Sequence, residues 1–180
     1  GIAEVSKDYN PVDEPKNKDE AISEENIVDA HKKKDVVERR NFGVLTRLLT
    51  GVGAECIRNY FLTIHPNWQN KPSDSLALKR GVLKLQPHEE AKFNSGNIET
   101  WDVSLLVSVL RYSYVSSLEL QNNPDVKNAL CKVREIRNKI LAHAANEKMN
   151  DTDFQIFWED LKRNLLVIGA KEEEIKETLI

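Results

Sequence analysis

After Asn41 the apolar residues recur mostly at i, i+3, i+4 and i+7, the period of a helix with one buried face rather than the alternation of a strand. Phe42, Leu45, Leu48, Leu49 and Val52 form the first such stripe, and Cys56, Ile57, Tyr60, Phe61 and Ile64 continue it. Gly51 and Gly53 interrupt the run and predict a bend or close packing. His65-Pro66 closes it, because the residue before proline is pushed out of the α region. Ser73 or Asp74 caps the next predicted helix, which carries Leu76, Val82, Leu83 and Leu85. A short helical turn follows Pro87, with Glu89 and Glu90 near the positive end of its dipole. Beyond the Asn94–Asn97 loop, Thr100 or Asp102 opens a helix with Val103, Leu106, Val107, Leu110 and Tyr114 on one face. Asn122 to Asp125 marks a stop and a start, and Val126, Ala129, Leu130, Val133, Ile136 and Ile140 make the following stripe. Asn150-Asp151 opens the last strong helix, which holds Phe154, Phe157, Trp158, Leu161, Leu165 and Ile168 and closes at Gly169. The expected fold is all-α, a compact helical bundle of four to five main helices with short connections.

Composition divides the chain further. Residues 1–40 hold eleven acids and eight bases, whereas residues 41–180 hold eighteen of each, so the net charge of −3 belongs to the first forty residues. Up to about Glu25 the chain is polar, with Pro11 and Pro15, and has too little apolar surface to offset the entropy of ordering. The run around Lys32-Lys33-Lys34 and Arg39-Arg40 predicts a charged lead-in helix. The organisation read from this is a linker and lead-in helix over 1–40, a helical domain over 41–170, and an acidic helical tail over 171–180. No run of eighteen apolar residues supports a membrane span. Cys56 and Cys131 have neither metal-ligand spacing nor the numbers for a disulfide framework, and read as core thiols of an intracellular, cytoplasmic protein.

The chain has no P-loop, dinucleotide glycine fingerprint, histidine pair at i and i+4, or nucleophile elbow, so no metal and no cofactor is expected. What remains is Arg137-Asn138-Lys139-Ile140-Leu141-Ala142-His143. At 100° per residue from Val133, Arg137 falls at about 40°, inside the apolar stripe. A buried guanidinium needs a partner. Arg137 is therefore either held by an internal ion pair or loop carbonyls, or it faces a cleft or second subunit where it receives phosphate or carboxylate. His143 lies about −120° from Arg137, so the two meet only through helix distortion or across two subunits. Lys127, Lys132, Arg134, Arg137 and Lys139 against the single acid Glu135 make this the one locally basic stretch of the neutral body. Lys132, Arg134 and Lys139 are its candidate contacts to the phosphates of a polyanion.

At these residues the chain resembles the HEPN domains, small helical bundles marked by an Arg, usually a polar residue, and a His after four to six intervening positions. Arg58 to His65 satisfies the same spacing, so order and context matter. The wider pattern is similar to the HEPN-like subfamily named after the DAZ-interacting zinc-finger ubiquitin ligase. Its elements are Asn41-Phe42 through Leu49, Arg58 with Phe61 and His65-Pro66, Trp101-Asp102 to Leu106, the Arg137–His143 segment, and Phe154, Trp158 and Ile168-Gly169. The resemblance covers about residues 41–170.

The resemblance implies, for active members, metal-independent cleavage of RNA by paired domains that share a cleft. His143 would then move a proton as the ribose 2′-hydroxyl attacks the phosphate. Arg137 would stabilise the developing charge, and Asn138 would orient either group. The products would carry 2′,3′-cyclic phosphate ends. The partners implied are a second copy or another HEPN-like domain, with single-stranded RNA as ligand. The alternative is a non-catalytic interaction or dimerisation module, binding adaptor proteins within a larger signalling, innate-immune or ubiquitin-ligase protein. For Arg58, His65 and the three tryptophans the expectation is packing, internal ion pairing or capping rather than chemistry.

Overall fold

The computed structural model describes residues 23–180, so most of the linker read over residues 1–40 lies outside the described residues. The chain divides at Val37, and Glu38–Ile180 forms the second, compact unit. Helix α1 runs over Glu24–Arg47, its first turn closed by the Ser23 hydroxyl accepting from the Asn26 N–H. In its opening turns Ile27, Val28 and Val36 are exposed. A π-helical segment, Leu48–Gly53, joins α1 to α2 (Ala54–Ile64). Then come α3 (Pro72–Ala77), α4 (Pro87–Ser95), a 3₁₀ turn (Ile98–Thr100), α5 (Val103–Tyr112), α6 (Tyr114–Gln121), α7 (Pro124–Leu141), α8 (Asp151–Ile168) and α9 (Glu172–Glu177). The described residues are helical with no strand. The all-α expectation therefore holds.

The predicted stripes form the core. Val126, Ala129, Leu130, Val133, Ile136 and Ile140 of α7 are all buried, as are Trp158, Leu161, Leu165 and Ile168 of α8, and α7 and α8 make the most extensive helix pair. Their connecting loop is pinned from α1. Asn41 is buried and its amide donates to the Met149 carbonyl and the Asp151 carboxylate, while the Met149 N–H donates to the Glu38 carbonyl. Residues 171–180 are more than a surface appendage, since Ile175 of α9 is fully buried.

Four local expectations are corrected; the first is the cap of α3, which is Lys71 rather than Ser73 or Asp74, since both of these lie within the helix behind Pro72. The glycines at 51 and 53 mark a π segment rather than a bend, although the close packing expected there does occur at Gly53, where a Cβ would lie 3.1 Å from the Leu48 carbonyl and 3.6 Å from Leu165. The helix read through Leu85 stops at Ala77, because Gly81 adopts φ +60° with a would-be Cβ 2.8 Å from the Tyr112 carbonyl. Leu83 is still buried, but Val82 is exposed. Tyr114 leaves the α5 stripe, because α5 ends at Tyr112 and Ser113 serves as both its C-cap and the N-cap of α6.

Gly96 ends α4 at φ +68°, where a Cβ would overlap the Lys71 carbonyl. Gly51 has open space around the same position. Gly96→Ala is therefore expected to destabilise by more than about 1 kcal/mol through φ strain and backbone overlap. Gly51→Ala should be neutral or stabilising by up to about 1 kcal/mol. Urea unfolding of the two variants beside the parent protein checks this contrast.

Candidate functional site

The π segment and α2 set Arg58 against the 3₁₀ turn. Its Nε donates to the Ile98 carbonyl at 2.9 Å, one terminal nitrogen to the carbonyls of Glu99 and Trp101 at 3.3 and 3.2 Å, and the other to Glu55 at 3.2 Å. Arg58 thus ties together three carbonyls of the turn, of which that of Ile98 also accepts from the Trp101 N–H at 3.1 Å. Immediately after it, Asp102 caps α5 by accepting from the Leu105 N–H. Behind it, Trp101 is fully buried, stacks on Phe93, packs edge-on against Phe61 and Trp68, and donates its indole N–H to the Lys92 carbonyl. The packing and ion-pairing roles expected for Arg58 and Trp101 are the ones the structure shows.

His65 belongs to the same aromatic cluster. Its ring lies 4.5 Å from that of Phe61, and Nε2 is hydrogen-bonded to the Ser116 hydroxyl at 2.8 Å. Burial lowers its pKa from the ordinary imidazole value. Cys56 is buried, with its thiol pushed up to about 12 chiefly by desolvation and then by Glu174 and Glu55, so it is a poor nucleophile. Cys131 departs from the core-thiol expectation, lying half-buried on α7. Among the described residues no group of His, Cys, Asp and Glu is placed to hold a metal, and no helix is long and apolar enough to cross a membrane.

On α7 the expected site residues separate into two flanks. Measured from Val133 at 100° per residue, Arg137, Arg134 and Asn138 fall at about +40°, +100° and +140°, and Lys132, Lys139 and His143 at about −100°, −120° and −80°. The observed neighbours agree with this division. Arg137 lies 3.7 Å from the Asp102 carboxylate at the start of α5 and donates to the Asn138 side chain at 3.0 Å. Lys132 lies 3.9 Å from Asp160 of α8, and the His143 ring packs edge-on against Phe157 of α8. Arg137 is not buried in the stripe as the wheel suggested. Its side chain is 27% exposed, since a long flexible stem carries the guanidinium past the apolar edge to Asp102. His143 lies past the end of α7, its backbone N–H bonded to the Ile140 carbonyl.

The model for DZIP3/hRUL138-like HEPN domains matches residues 61–179 of the chain. The chain belongs to this family. No curated protein and no solved structure is matched. The match to the HEPN family covers the aromatic cluster, α7 with its Arg-Asn-x4-His segment, α8 and α9, and begins just after Arg58.

A cleft of about 320 Å³ adjoins Arg137 on the α5 side of this HEPN domain. Its wall includes Arg58 and Asp102, together with Thr46 of α1 and Leu49 and Thr50 of the π segment. In the sequence Arg58 and Arg137 belong to two separate motif candidates, and Asp102 figures as a helix cap and as part of the Trp101–Leu106 pattern. The one signal for their convergence is the pair of glycines that marks the π distortion, a feature frequent at functional sites.

Arg58→Lys cannot reproduce the fan of bonds to Ile98, Glu99 and Trp101, and is expected to cost about 1.5–3 kcal/mol in urea unfolding. Because the pKa of His65 is depressed on folding, the unfolded chain binds the extra proton, and stability falls as pH drops below about 6.5. His65→Gln should flatten the dependence of stability on pH between about 7 and 5, where the histidine titrates. An unchanged slope would show that His65 does not carry it.

Proposed function

We propose that this HEPN domain engages single-stranded RNA through α7. The observation that carries this reading is the set of uncompensated charges on that helix. Arg134 and Lys139 have no ionic partner among the described residues, whereas Lys132 is ion-paired with both Glu135 and Asp160 at 3.9 Å and is not one of these free charges. Such charges are available to phosphates, whereas a paired and buried cation is not. Since residues 41–180 balance acid and base, contact is confined to this helix and the affinity is modest and salt-sensitive.

Cleavage asks more of the geometry than binding does. A proton carrier and a charge stabiliser must meet at one phosphodiester, yet Arg137 faces α5 and His143 faces α8. We propose that strand scission belongs to paired domains, with Arg137 and Asn138 of one copy and His143 of another at a shared cleft. His143 then transfers the proton of the attacking 2′-hydroxyl and Arg137 neutralises the phosphoryl oxygens, leaving 2′,3′-cyclic phosphate ends.

In binding titrations with single-stranded RNA, Arg134→Ala and Lys139→Ala should each weaken affinity and reduce the slope of log affinity against log salt by about 0.7. RNA that is neither bound nor cut at low salt overturns the reading in favour of a protein-interaction module, for which Tyr114, Val115 and Leu118 of α6 supply exposed apolar surface. For cleavage, RNA is incubated in EDTA with Arg137→Ala, with His143→Ala, and with their mixture. Each variant alone should be inactive, and the mixture should recover about a quarter of parent activity, since half the pairs are mixed and each mixed pair has one intact site. Parent activity that survives both substitutions, or a mass that stays monomeric at high concentration, would overturn the shared cleft.

A further inference from the structure

We propose that the cleft between α1, α5 and α7 is a binding site for a small carboxylate with a compact apolar body, the carboxylate held by Arg137. The argument starts from the walls. Phe42, Leu49, Val103, Ile140 and Leu141 make them largely apolar, and the volume of about 320 Å³ lies at the small end of ligand sites. Against such walls, the few polar groups decide what is bound.

Most of those groups are already satisfied. The Arg58 donors are engaged by the carbonyls of Ile98, Glu99 and Trp101 and by Glu55. The hydroxyls of Thr46, Thr50 and Thr100 each donate to a backbone carbonyl, those of Phe42, Thr46 and Asn97. Arg137 is different. Of its five N–H groups one donates to Asn138, and its closest approach to Asp102 is 3.7 Å, beyond hydrogen-bonding distance. It is the cation of the cleft with donors to offer, in the fork geometry that receives a carboxylate bidentately. Asp102 is the counterweight. One of its oxygens caps α5, and its side chain is 51% exposed, so water screens its repulsion of an incoming anion without abolishing it.

The π segment explains why the space exists. Leu49 and Thr50 line the cleft from a stretch in which the Ala54 N–H reaches back to the Leu49 and Gly51 carbonyls. The extra residue in that turn widens the helix at the cleft wall, an arrangement frequent at functional sites.

The site shares Arg137 with the RNA reading but does not rest on it, and the two fail separately. The probe is 4-phenylbutyrate, with 4-phenylbutanamide as its neutral counterpart, titrated into the whole chain by NMR and calorimetry. Saturable binding of the acid is expected, with shifts at Thr50, Val103 and Leu141, and the amide weaker by about tenfold for want of the charge. Arg137→Ala should weaken the acid by about tenfold, removing the bidentate partner. Thr50→Phe, which fills the cleft while leaving the charge in place, should abolish binding. Asp102→Asn preserves the cap, since Asn and Asp serve equally there, and should tighten binding about threefold by removing the competing charge. A purely structural Arg137–Asp102 pair predicts no such gain. Arg134→Ala and Lys139→Ala should leave carboxylate affinity unchanged while weakening RNA. No saturable binding, equal binding of the amide, or indifference to Arg137→Ala overturns the proposal.

Discussion

The arrangement of this domain depends on one guanidinium. Arg58 gathers the carbonyls of Ile98, Glu99 and Trp101 in one turn at the edge of the core, adding to the single backbone bond that the Ile98 carbonyl accepts from the Trp101 N–H. Holding that turn in place fixes Trp101 in the aromatic cluster on one side and Asp102 as the α5 cap on the other. Asp102 in turn stands beside Arg137, so the position of the candidate site residue on α7 is referred back, through one turn, to a side chain on α2. Asn41 plays a matching part just beyond the C-terminal end of α7, tying the loop before α8 to α1. Two polar side chains thus hold the loops that the apolar stripes cannot position, because hydrophobic burial is non-directional and hydrogen bonds are not.

The consequence for chemistry is a division of labour along α7. Its buried stripe is flanked by two polar edges, one turned to α5 and the other to α8. Arg137 and Asn138 lie on the first, Lys132 and His143 on the second. One chain therefore offers two half-sites rather than one assembled centre. On the RNA reading proposed above, binding of an extended polyanion is the less demanding activity, and proton transfer by His143 would depend on pairing. The carboxylate proposed for the cleft beside Arg137 would draw on the same guanidinium donors as the proposed RNA contact.

Much of the fold was legible from the chain. The stripes of α7 and α8, the helix end at His65-Pro66, the Asn150 cap and the Gly169 terminus were all read from spacing and residue type, and the α5 cap was narrowed to Thr100 or Asp102, because those features arise within a few residues of one another. The readings that failed involve distant partners. Leu76 to Leu85 has helical spacing, but Gly81 is pressed against Tyr112, thirty-one positions away in the chain, and the helix cannot continue. Tyr114 has the spacing of the α5 stripe, but the chain turns at Ser113, and its N–H pairs instead with the Lys79 carbonyl.

The same distinction governs the site. The sequence by itself determined the all-α class, the basic stretch on one helix, and the angular separation of Arg137 from His143, since helical period is a local property of the backbone. Only the tertiary structure decided that Arg137 reaches out to Asp102 rather than into the core, that His143 meets Phe157, and that Arg58 and Arg137, nearly eighty positions apart, line one cleft. Those outcomes depend on which helices pack together and how far a flexible side chain extends, and neither quantity is encoded in the spacing of residues along one helix.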